Sequence, residues 1–564
     1  MLSDLRYAFR SLRKSPGYTV VALLTLALGI GASAVVFSVV NAVVLRPLAF
    51  PASERLVAAR IVVPAYAKLY PTLPVNARFF REWRALPAFS ELALIDRSRS
   101  TITGAGDPVR VSALRCSANL FSVLRVSPAL GRSFAANEDA KGKAPVAIVS
   151  DRFWRNRLAA DPAVLDRTIT LDQQPFTVIG VLPADFRLPE AHDFLTGKTS
   201  AGEPEVFISK QFDADELNVI AGRFNYDVIG RLAPGVTPAA ALAQMNVVAA
   251  RLAGLAKQPG LELRGYLAPL QEAVVGPARR GLFLLLGAIG AVLLIACLNL
   301  SMLALARAER QSRDRAVRSA LGASRGRLVR EALAESVLLS IGGGVLGCLC
   351  ASWGLDLLLR FAPGDLPRLD EVSLDSTVLL FALGTTIVTA FIAGLTPAWR
   401  AARTATASLH GSANRTVTGS VGARRLRHLL IAIETGVSTL LLAVAALLAA
   451  SFIRLLHTDA GFHAPHTYVV DLAIPYEKYR SDADRIAYHQ RLLTEVAATA
   501  GVNAAAISTA LPLQGETWID TVWTLDDTRP QSQRPNANIR FISADFFNTL
   551  GIPFLGGRTF RDTD

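Results

Sequence analysis

The sequence predicts a helical membrane protein with five spans and an α+β extracytoplasmic domain, followed by a second, incomplete extracytoplasmic domain. Hydrophobic residues make up 51% of the 564 residues and charged residues only 19%, below the quarter that is typical of soluble domains. Long apolar stretches without charge alternate with arginine-rich segments. A segment of ordinary globular composition separates the first apolar stretch from the second.

Five apolar stretches reach the roughly 20 residues that a helix needs to cross the hydrocarbon core of a bilayer. Their centres carry no charge, which matters because an arginine there costs about 2.5–3.5 kcal/mol on insertion scales. The first stretch is longer than the apolar region of a signal peptide, about 7–15 residues, so we expect an uncleaved anchor. The predicted spans are residues 18–45, 281–306, 336–359, 376–399 and 429–455.

Clusters of Lys and Arg beside the spans predict the orientation, because cytoplasmic flanks are enriched in both residues. The net charge of +13 comes with arginines at the ends of apolar runs, which favours cytoplasmic loops over nucleic-acid binding. We expect residues 1–17, 307–335 and 400–428 on the cytoplasmic side, residues 307–335 including the start of the third span. The outer side would then hold residues 46–280, 360–375 and 456–564.

Residues 46–280 have the mixed pattern of an α+β domain. PVAIVS (145–150) predicts a buried strand, and DRFWRNRLAADP (151–162) predicts a helix capped by its Asp. TITLDQQPFTVIGVLP (168–183) predicts a hairpin that turns around Asp-Gln-Gln-Pro. NARFFREWRAL (76–86) predicts an amphipathic helix.

An internal repeat links the two outer segments. SANLFSVLRVSPALGRSF (117–134) recurs without gaps as SADFFNTLGIPFLGGRTF (543–560). The basic start and apolar run of residues 5–40 recur over residues 424–456 at a similar offset. We expect one complete unit of about 425 residues and the opening of a second, truncated within its outer domain.

RDRAVRSALGAS (313–324) has the residues of a short helix with a sharp stop. Val317, Ala320 and Leu321 are spaced as one apolar stripe. Gly322 suits the left-handed residue that ends a helix, and Ser324 suits the cap of the next helix. The stripe fits docking into a groove on a partner, with nearby arginines pairing to acidic groups there. In the alternative hypothesis the arginines only fix topology and bind anionic lipid headgroups.

Two further patterns lie in the third predicted span. Gly343 and Gly347 form a GxxxG motif, which allows close helix crossing, either between halves or chains or within one unit. Glu331 and Glu335 lie four apart near the start of this span. Pairing within the helix, such as Arg327 with Glu331, is the simpler hypothesis, and a proton relay is the alternative.

No motif predicts catalysis, a metal or a cofactor. TGKTS (196–200) has His192 where a phosphate-binding loop needs glycine, so we interpret it as unrelated to nucleotides. The histidines lack metal-ligand spacing, and the four cysteines form no framework. An ion-coupled transporter needs ionisable groups in mid-span, and the sequence has none there.

The family resemblance rests on three blocks: LSDLRYAFRSLRKSPGYTVVALLTLALGIGAS, VVLRPLAFPASERLV, and PVAIVSDRFWRNRLAADPAVLDRTITLDQQPFTVIGVLPADFRLP. They resemble ABC-transporter permeases of the macrolide-exporter type, which share a membrane domain with the FtsX family, and look most like the duplicated orphan permeases of acidobacteria. The resemblance spans essentially the whole chain. One departure is PAWRAARTATASL (397–409), which lacks the Asp-Pro common after the fourth span.

The resemblance implies a multi-pass protein of the bacterial inner membrane with four spans per unit. It implies a permease subunit without enzymatic activity or cofactor, which couples ATP hydrolysis by a separate cytoplasmic ATPase to movement of periplasmic domains, for export or mechanical transmission. A periplasmic adaptor or envelope protein, membrane lipids and a second copy are further expected partners, and nucleic acid is not. The alternative is a membrane-anchored periplasmic sensor or enzyme without an ATPase.

The resemblance also gives residues 313–324 a role, because the corresponding loop of such permeases touches the ATPase. We therefore expect an ATPase-coupling element made of Arg313, Asp314, Val317, Arg318, Ala320, Leu321, Gly322, Ala323 and Ser324.

Overall fold

The computed structural model describes two compact units of the chain. The membrane unit comprises Met1–Arg46 and Val275–Thr458, and the outer unit comprises Pro47–Val274 and Asp459–Asp564. The described residues are all except 1, 69, 104–107, 190–202, 257–259, 311–324, 362–367, 408–420, 464, 473, 475–478, 480, 514–517, 530–533 and 562–564.

The helices and strands alternate in the outer unit, whereas the membrane unit is helical. The helices are α1 (Leu2–Arg13), α2 (Pro16–Val40), α3 (Ala77–Arg84), α4 (Leu120–Leu124), α5 (Asp151–Arg157), α6 (Ala214–Asn218), α7 (Pro238–Leu255), α8 (Leu270–Arg310), α9 (Arg325–Phe361), α10 (Ser376–Ala407), α11 (Val421–Leu456), α12 (Asp482–Ala497) and α13 (Phe546–Thr549). The strands are β1 (Leu56–Val62), β2 (Phe89–Thr103), β3 (Val109–Cys116), β4 (Leu130–Gly131), β5 (Val146–Val149), β6 (Thr168–Leu171), β7 (Gln174–Val181), β8 (Val206–Ser209), β9 (Asp227–Leu232), β10 (Arg264–Pro269), β11 (Trp518–Thr521) and β12 (Asn536–Ile539).

Five helices in the described part of the chain are long and apolar enough to cross a membrane, which confirms the predicted number of spans. Lipid offers backbone groups no partner, so a spanning segment must satisfy them within its own helix. The spans are numbered one to five: Pro16–Leu45, Ala278–Arg307, Leu333–Phe361, Ser376–Gly394 and Arg427–Leu456.

Spans one, three and four form the interior of the membrane unit. Leu26 and Ile30 of span one are fully buried and share a cluster with Leu339 of span three. Further along, Ala34 packs with Ala351 of span three and with residues of span four. Span five has none of its apolar window buried, and among the described residues its Leu430 joins a small cluster with two leucines of span two.

The outer unit is built on a ten-stranded sheet of order β10-β1-β9-β2-β3-β8-β5-β7-β4, with β6 pairing β2 and β7. Most pairs are antiparallel, but β3–β8 and β5–β7 are parallel. Helices α3 and α7 contribute Phe79, Trp83 and Met245 to one core cluster on this sheet. A second cluster forms around β5, β7 and Phe153 of α5. The α+β prediction for this domain is confirmed.

Local details differ from the sequence predictions at two places. Helix α5 is capped by Ser150, whose side chain accepts the Phe153 amide, and it ends at Arg157, several residues before the predicted stop ahead of Pro162. The predicted Asp cap is therefore wrong, because the serine before it already satisfies that amide. The β6–β7 hairpin turns on Asp172 and Gln173 alone, both with positive φ (49° and 67°), as the twist of a two-residue hairpin requires.

Candidate functional site

The predicted coupling residues, 313–324, lie outside the described residues. The two helices that flank this segment are described up to Arg310 and from Arg325. The site can therefore be built from the ends of spans two and three, where Arg307 and Glu335 lie just before and just after the segment.

Arg307 connects span two to helix α1. Its Nη2 donates to the carbonyl oxygen of Ser11 at 3.0 Å and to the Ser11 hydroxyl at 2.8 Å. Its guanidinium carbon lies 4.6 Å from the ring centroid of Tyr18, at the start of span one, which is within cation–π range. One side chain thus links α1 to the beginning of span one and the end of span two.

Glu335 adds span three to this group. Its carboxylate lies 3.9 Å from Nη2 of Arg307, and the two side chains are only 17% and 11% exposed. Within the described residues, Nε and Nη1 of Arg307 are buried without a hydrogen-bond partner. A partly buried arginine is stabilised by an opposite charge because little water is available to solvate it. We call Ser11, Tyr18, Arg307 and Glu335 the basal cluster.

Sequence reasoning did not find the basal cluster. Spacing along the sequence places Glu335 four residues after Glu331 and favours ion pairs within the helix, such as Arg327 with Glu331. The side chains of Arg327 and Glu331 lie outside the described part of the chain. Glu335 instead faces a partner on another helix, a relationship that local spacing along one helix cannot indicate.

The GxxxG glycines lie where span three crosses span one. A Cβ built on Gly343 would lie 2.5 Å from Cβ of Leu26, and one on Gly347 would lie 3.2 Å from the carbonyl oxygen of Ala27. Close approach of two backbones is what small residues permit in membrane helices. Both glycines therefore contact the same unit, which is one of the two arrangements that the motif allowed.

A second polar group lies at the other end of span one. Nδ2 of Asn41 donates to Asp375 at 3.2 Å, and the Ser38 hydroxyl donates to the carbonyl of Ser373 at 2.8 Å. The other carboxylate oxygen of Asp375 accepts the Val378 amide at 2.9 Å and caps α10. These bonds fix the end of span one to the start of span four.

The segment between spans three and four also contacts this end of span one. Arg368 donates from Nη1 to the carbonyl of Arg46 at 2.8 Å. Its other nitrogens form a two-bond pair with Glu371, at 2.7 and 3.0 Å. Bidentate arginine–carboxylate pairs combine strength with fixed geometry, so the segment is held in one orientation beside span one.

A polar cluster in the described part of the outer unit joins Lys210, Glu216 and Tyr226 through one carboxylate oxygen, whereas Oε2 of Glu216 is buried without a hydrogen-bond partner. Nζ of Lys210 donates to Glu216 at 3.2 Å, and the Tyr226 hydroxyl donates to the same oxygen at 3.1 Å. Lys210 also lies against the rings of Phe212 and Tyr226. Burial, followed by the charge of Glu216, raises the pKa of the Tyr226 hydroxyl. This arrangement suits a structural anchor rather than a reactive group.

In the part of the chain that the structure describes, no group of three or more His, Cys, Asp or Glu side chains is placed to hold a metal ion. The TGKTS sequence, residues 196–200, lies outside the described residues.

The two repeated stretches of the outer unit fold alike. The Ser117 amide donates to the carbonyl of Leu94 at 2.9 Å, and the Leu94 amide donates to the Ser117 hydroxyl at 3.0 Å. Ser543 and Ile507 form the same two bonds, at 2.9 and 3.0 Å. In each case a serine thus joins the chain to an earlier segment through both its backbone and its side chain.

The match continues through the following helix and turn. Helix α4 is followed by Arg125 with φ of 57°, and α13 is followed, after Leu550, by Gly551 with φ of 61°. Further on, Gly131 and Gly557 have φ values of 76° and 81°. Both positive-φ positions fall at equivalent places in the aligned sequences, so the repeat extends to backbone conformation.

Together, the apolar helices and the mixed outer domain define a multi-pass membrane protein with a large extracytoplasmic α+β domain. Comparison with protein families identifies its parts. Residues 19–248 match the MacB-like periplasmic core domain, and residues 286–406 match the FtsX-like permease C-terminal domain. The chain is thus similar over these two ranges to the two domains of such permeases, and these families are membrane subunits of ABC transporters.

Solved structures of such outer domains are similar to part of the chain. A domain of a permease protein from Porphyromonas gingivalis is 15% identical, with a TM-score of 0.29 over 39% of this chain and 92% of that one. The periplasmic region of MacB from Actinobacillus actinomycetemcomitans is 8% identical, with a TM-score of 0.28 over 41% and 94%. The extracellular domain of the ABC-type transporter YknZ from Gram-positive bacteria is 13% identical, with a TM-score of 0.25 over 37% and 99%. No curated protein sequence matches the chain.

Proposed function

We propose that this chain is the membrane subunit that couples ATP hydrolysis by a separate cytoplasmic ATPase to movement of its outer domain, for export or mechanical transmission. The observation that carries this proposal is the FtsX-like permease match over residues 286–406. It covers spans two to four together with the segment 313–324. The basal cluster supports it, because it connects both helices flanking that segment to α1 and span one.

In this proposal the segment 313–324 is the element that contacts the ATPase. Leu321 and Val317 belong to its apolar stripe, and Arg313 and Arg318 supply charge beside it. The orientation follows the positive-inside rule: the N-terminus and residues 307–335 and 400–428 are cytoplasmic, in a bacterial inner membrane. The outer unit is then periplasmic.

We further infer that the end of the chain opens a second copy of the outer domain. The paired bonds of Ser117 with Leu94 and of Ser543 with Ile507 support this. The bridge of Ser508 with Ile542 also corresponds to the pairing of Ile95 with Cys116. Cys116 directly precedes Ser117, and Ile542 directly precedes Ser543, as expected if one fold element is used twice.

Association with the ATPase tests the coupling role. The full chain, purified in detergent, is mixed with ABC ATPases from the same genome, and co-elution and vanadate-sensitive ATP hydrolysis are measured. We expect complex formation and a rise in hydrolysis that depends on the chain. Leu321→Asp is expected to weaken association at least tenfold, because it puts a charge into an apolar contact.

A matched substitution checks the specificity of that result. Val247 on α7 of the outer unit is exposed, so Val247→Asp adds the same charge away from the predicted contact and should leave association unchanged. Membrane insertion of both variants is verified first. Equal association of the Leu321→Asp variant and the unaltered chain would argue against docking through this segment and favour a role in topology alone.

A further inference from the structure

Arg307 and Glu335 lie on the two helices that flank the segment proposed to receive the ATPase. Arg307 is the last residue of span two, and Glu335 is near the first turn of span three. A displacement of the segment must pass through these two helices, because it is covalently joined to both. The contact between the two side chains therefore joins the helix that leads into the segment to the helix that follows it.

Helix α1 is held in part by the hydrogen bonds that Arg307 donates to it. Among the side chains of α1 that the structure describes, Ala8 and Leu12 are apolar and buried, and Arg307 donates to the carbonyl and hydroxyl oxygens of Ser11 beside them. The Thr19 hydroxyl also donates to the carbonyl of Leu12 at 2.9 Å. Arg307 is the charged group in this attachment, and hydrogen bonds to charged groups are the stronger ones.

The ion pair has room to tighten. Its 3.9 Å separation is longer than a charge-assisted hydrogen bond of about 2.7–2.9 Å. Within the described residues, Nε and Nη1 of Arg307 have no acceptor, so the guanidinium can donate a further hydrogen bond while it still donates to Ser11. An approach of about 1 Å between spans two and three would convert this loose pair into a hydrogen-bonded one.

We propose that Arg307 and Glu335 form a latch across the base of the segment 313–324, and that this latch passes displacement of the segment to α1. Arg307 is the positioning residue that holds α1, and Glu335 is the counter-charge that sets how firmly Arg307 is held. This proposal rests on the proposed coupling function, since only a contact at the segment would move the latch.

The first test measures the latch in the full chain alone, reconstituted in nanodiscs, without an ATPase. Hydrogen exchange is followed at the α1 amides in Arg307→Lys, Arg307→Gln, Arg307→Met and Glu335→Gln variants. Lys keeps the charge, Gln keeps donors without charge, and Met keeps only the apolar stem. We expect exchange in α1 to accelerate about tenfold for Met, less for Gln, and little for Lys. Glu335→Gln should give an intermediate acceleration.

A matched control is available on span three itself. Arg360 lies in the last turn of α9 and is exposed, so Arg360→Gln makes the same change as Arg307→Gln, but at the far end of the helix that carries Glu335. Its α1 exchange should equal that of the unaltered chain. Equal α1 exchange in the Met and Lys variants of Arg307 would overturn the latch, even if both variants were less stable overall.

The second test uses the ATPase complex. If the latch transmits displacement, Arg307→Met should keep association with the ATPase but lose most of the chain-dependent rise in ATP hydrolysis, and Arg307→Lys should restore it. Full stimulation by the Met variant would overturn transmission through Arg307. Absence of any ATPase association by the unaltered chain would instead refute the proposed function, while the exchange result would still decide whether the latch holds α1.

Discussion

Gly31 and Gly347 meet backbone to backbone where spans one and three cross. A Cβ built on Gly31 would lie 2.9 Å from the carbonyl oxygen of Gly347, and one on Gly347 would lie 3.1 Å from the amide nitrogen of Gly31. A methyl group at Gly31 would therefore push against backbone, which cannot rotate away as a side chain can. The two glycines set the separation of these helices.

Gly31→Ala is expected to destabilise the membrane unit by about 1–3 kcal/mol, the usual cost of overpacking. Alanine is intrinsically the better helix former by about 1 kcal/mol, so a net loss requires the contact with Gly347. The measurement is the thermal unfolding midpoint of the detergent-purified chain, followed by tryptophan fluorescence.

Gly384 of span four provides the control for this substitution, because a Cβ built there meets nothing within 4 Å. Gly384→Ala should leave the midpoint unchanged or raise it. If the Gly31 and Gly384 variants unfold at the same temperature, the close crossing of spans one and three is not present in the protein.

Asp375 is expected to stabilise the junction of spans one and four in two ways, as a helix cap and as the acceptor for Asn41. Loss of a capping carboxylate costs about 1 kcal/mol, so Asp375→Ala should lower the unfolding midpoint. Asp375→Asn keeps a capping oxygen and should cost less. A double-mutant cycle that combines Asp375→Ala with Asn41→Ala then isolates the hydrogen bond between the two side chains. If the two changes in unfolding free energy add exactly, this bond contributes nothing to stability.

Ser117 and Ser543 are expected to respond alike to removal of their hydroxyl groups. Each hydroxyl accepts a backbone amide, from Leu94 and Ile507 respectively, and a donor left without its acceptor loses about 1–3 kcal/mol when buried. Hydrogen exchange should therefore accelerate at Leu94 in Ser117→Ala and at Ile507 in Ser543→Ala. Because Ser117 is fully buried, its variant should show the larger effect.

Ser122 is the control for the serine variants, since its hydroxyl donates to Glu91 at an exposed position. Ser122→Ala should leave exchange at both amides unchanged. Protection at Ile507 that does not depend on Ser543 would contradict the inference that the two stretches are copies of one fold element.

The orientation of the chain is expected to place Gly322 in the cytoplasm. A reporter tag inserted beside Gly322 should be active only as a cytoplasmic reporter. The same tag beside Gly142, at an exposed position of the outer unit, should be active only as a periplasmic reporter. A periplasmic signal from the Gly322 tag would invert the topology and remove the ATPase contact from the proposal.

The features that the sequence predicted correctly are local ones. The spans follow from runs of apolar residues, because lipid requires a continuous apolar surface on each helix. Helix α3 follows from the spacing of its apolar residues after Asn76, which caps it. The β6–β7 hairpin follows from alternating β-branched residues on either side of a turn. The exact cap of α5 was missed because two adjacent polar residues, Ser150 and Asp151, both suit a helix start.

The sequence by itself determined which segments enter the membrane, which flanks carry positive charge, and that one stretch of the outer domain occurs twice. Only the tertiary structure decided that Arg307 faces both Ser11 and Glu335, and that Gly347 meets Gly31. Hydropathy and short-range periodicity indicate which faces of each segment are suited to lipid, water or the protein interior. The partner of a side chain depends instead on the rotation and depth of separate helices, which are fixed only when all of them pack together.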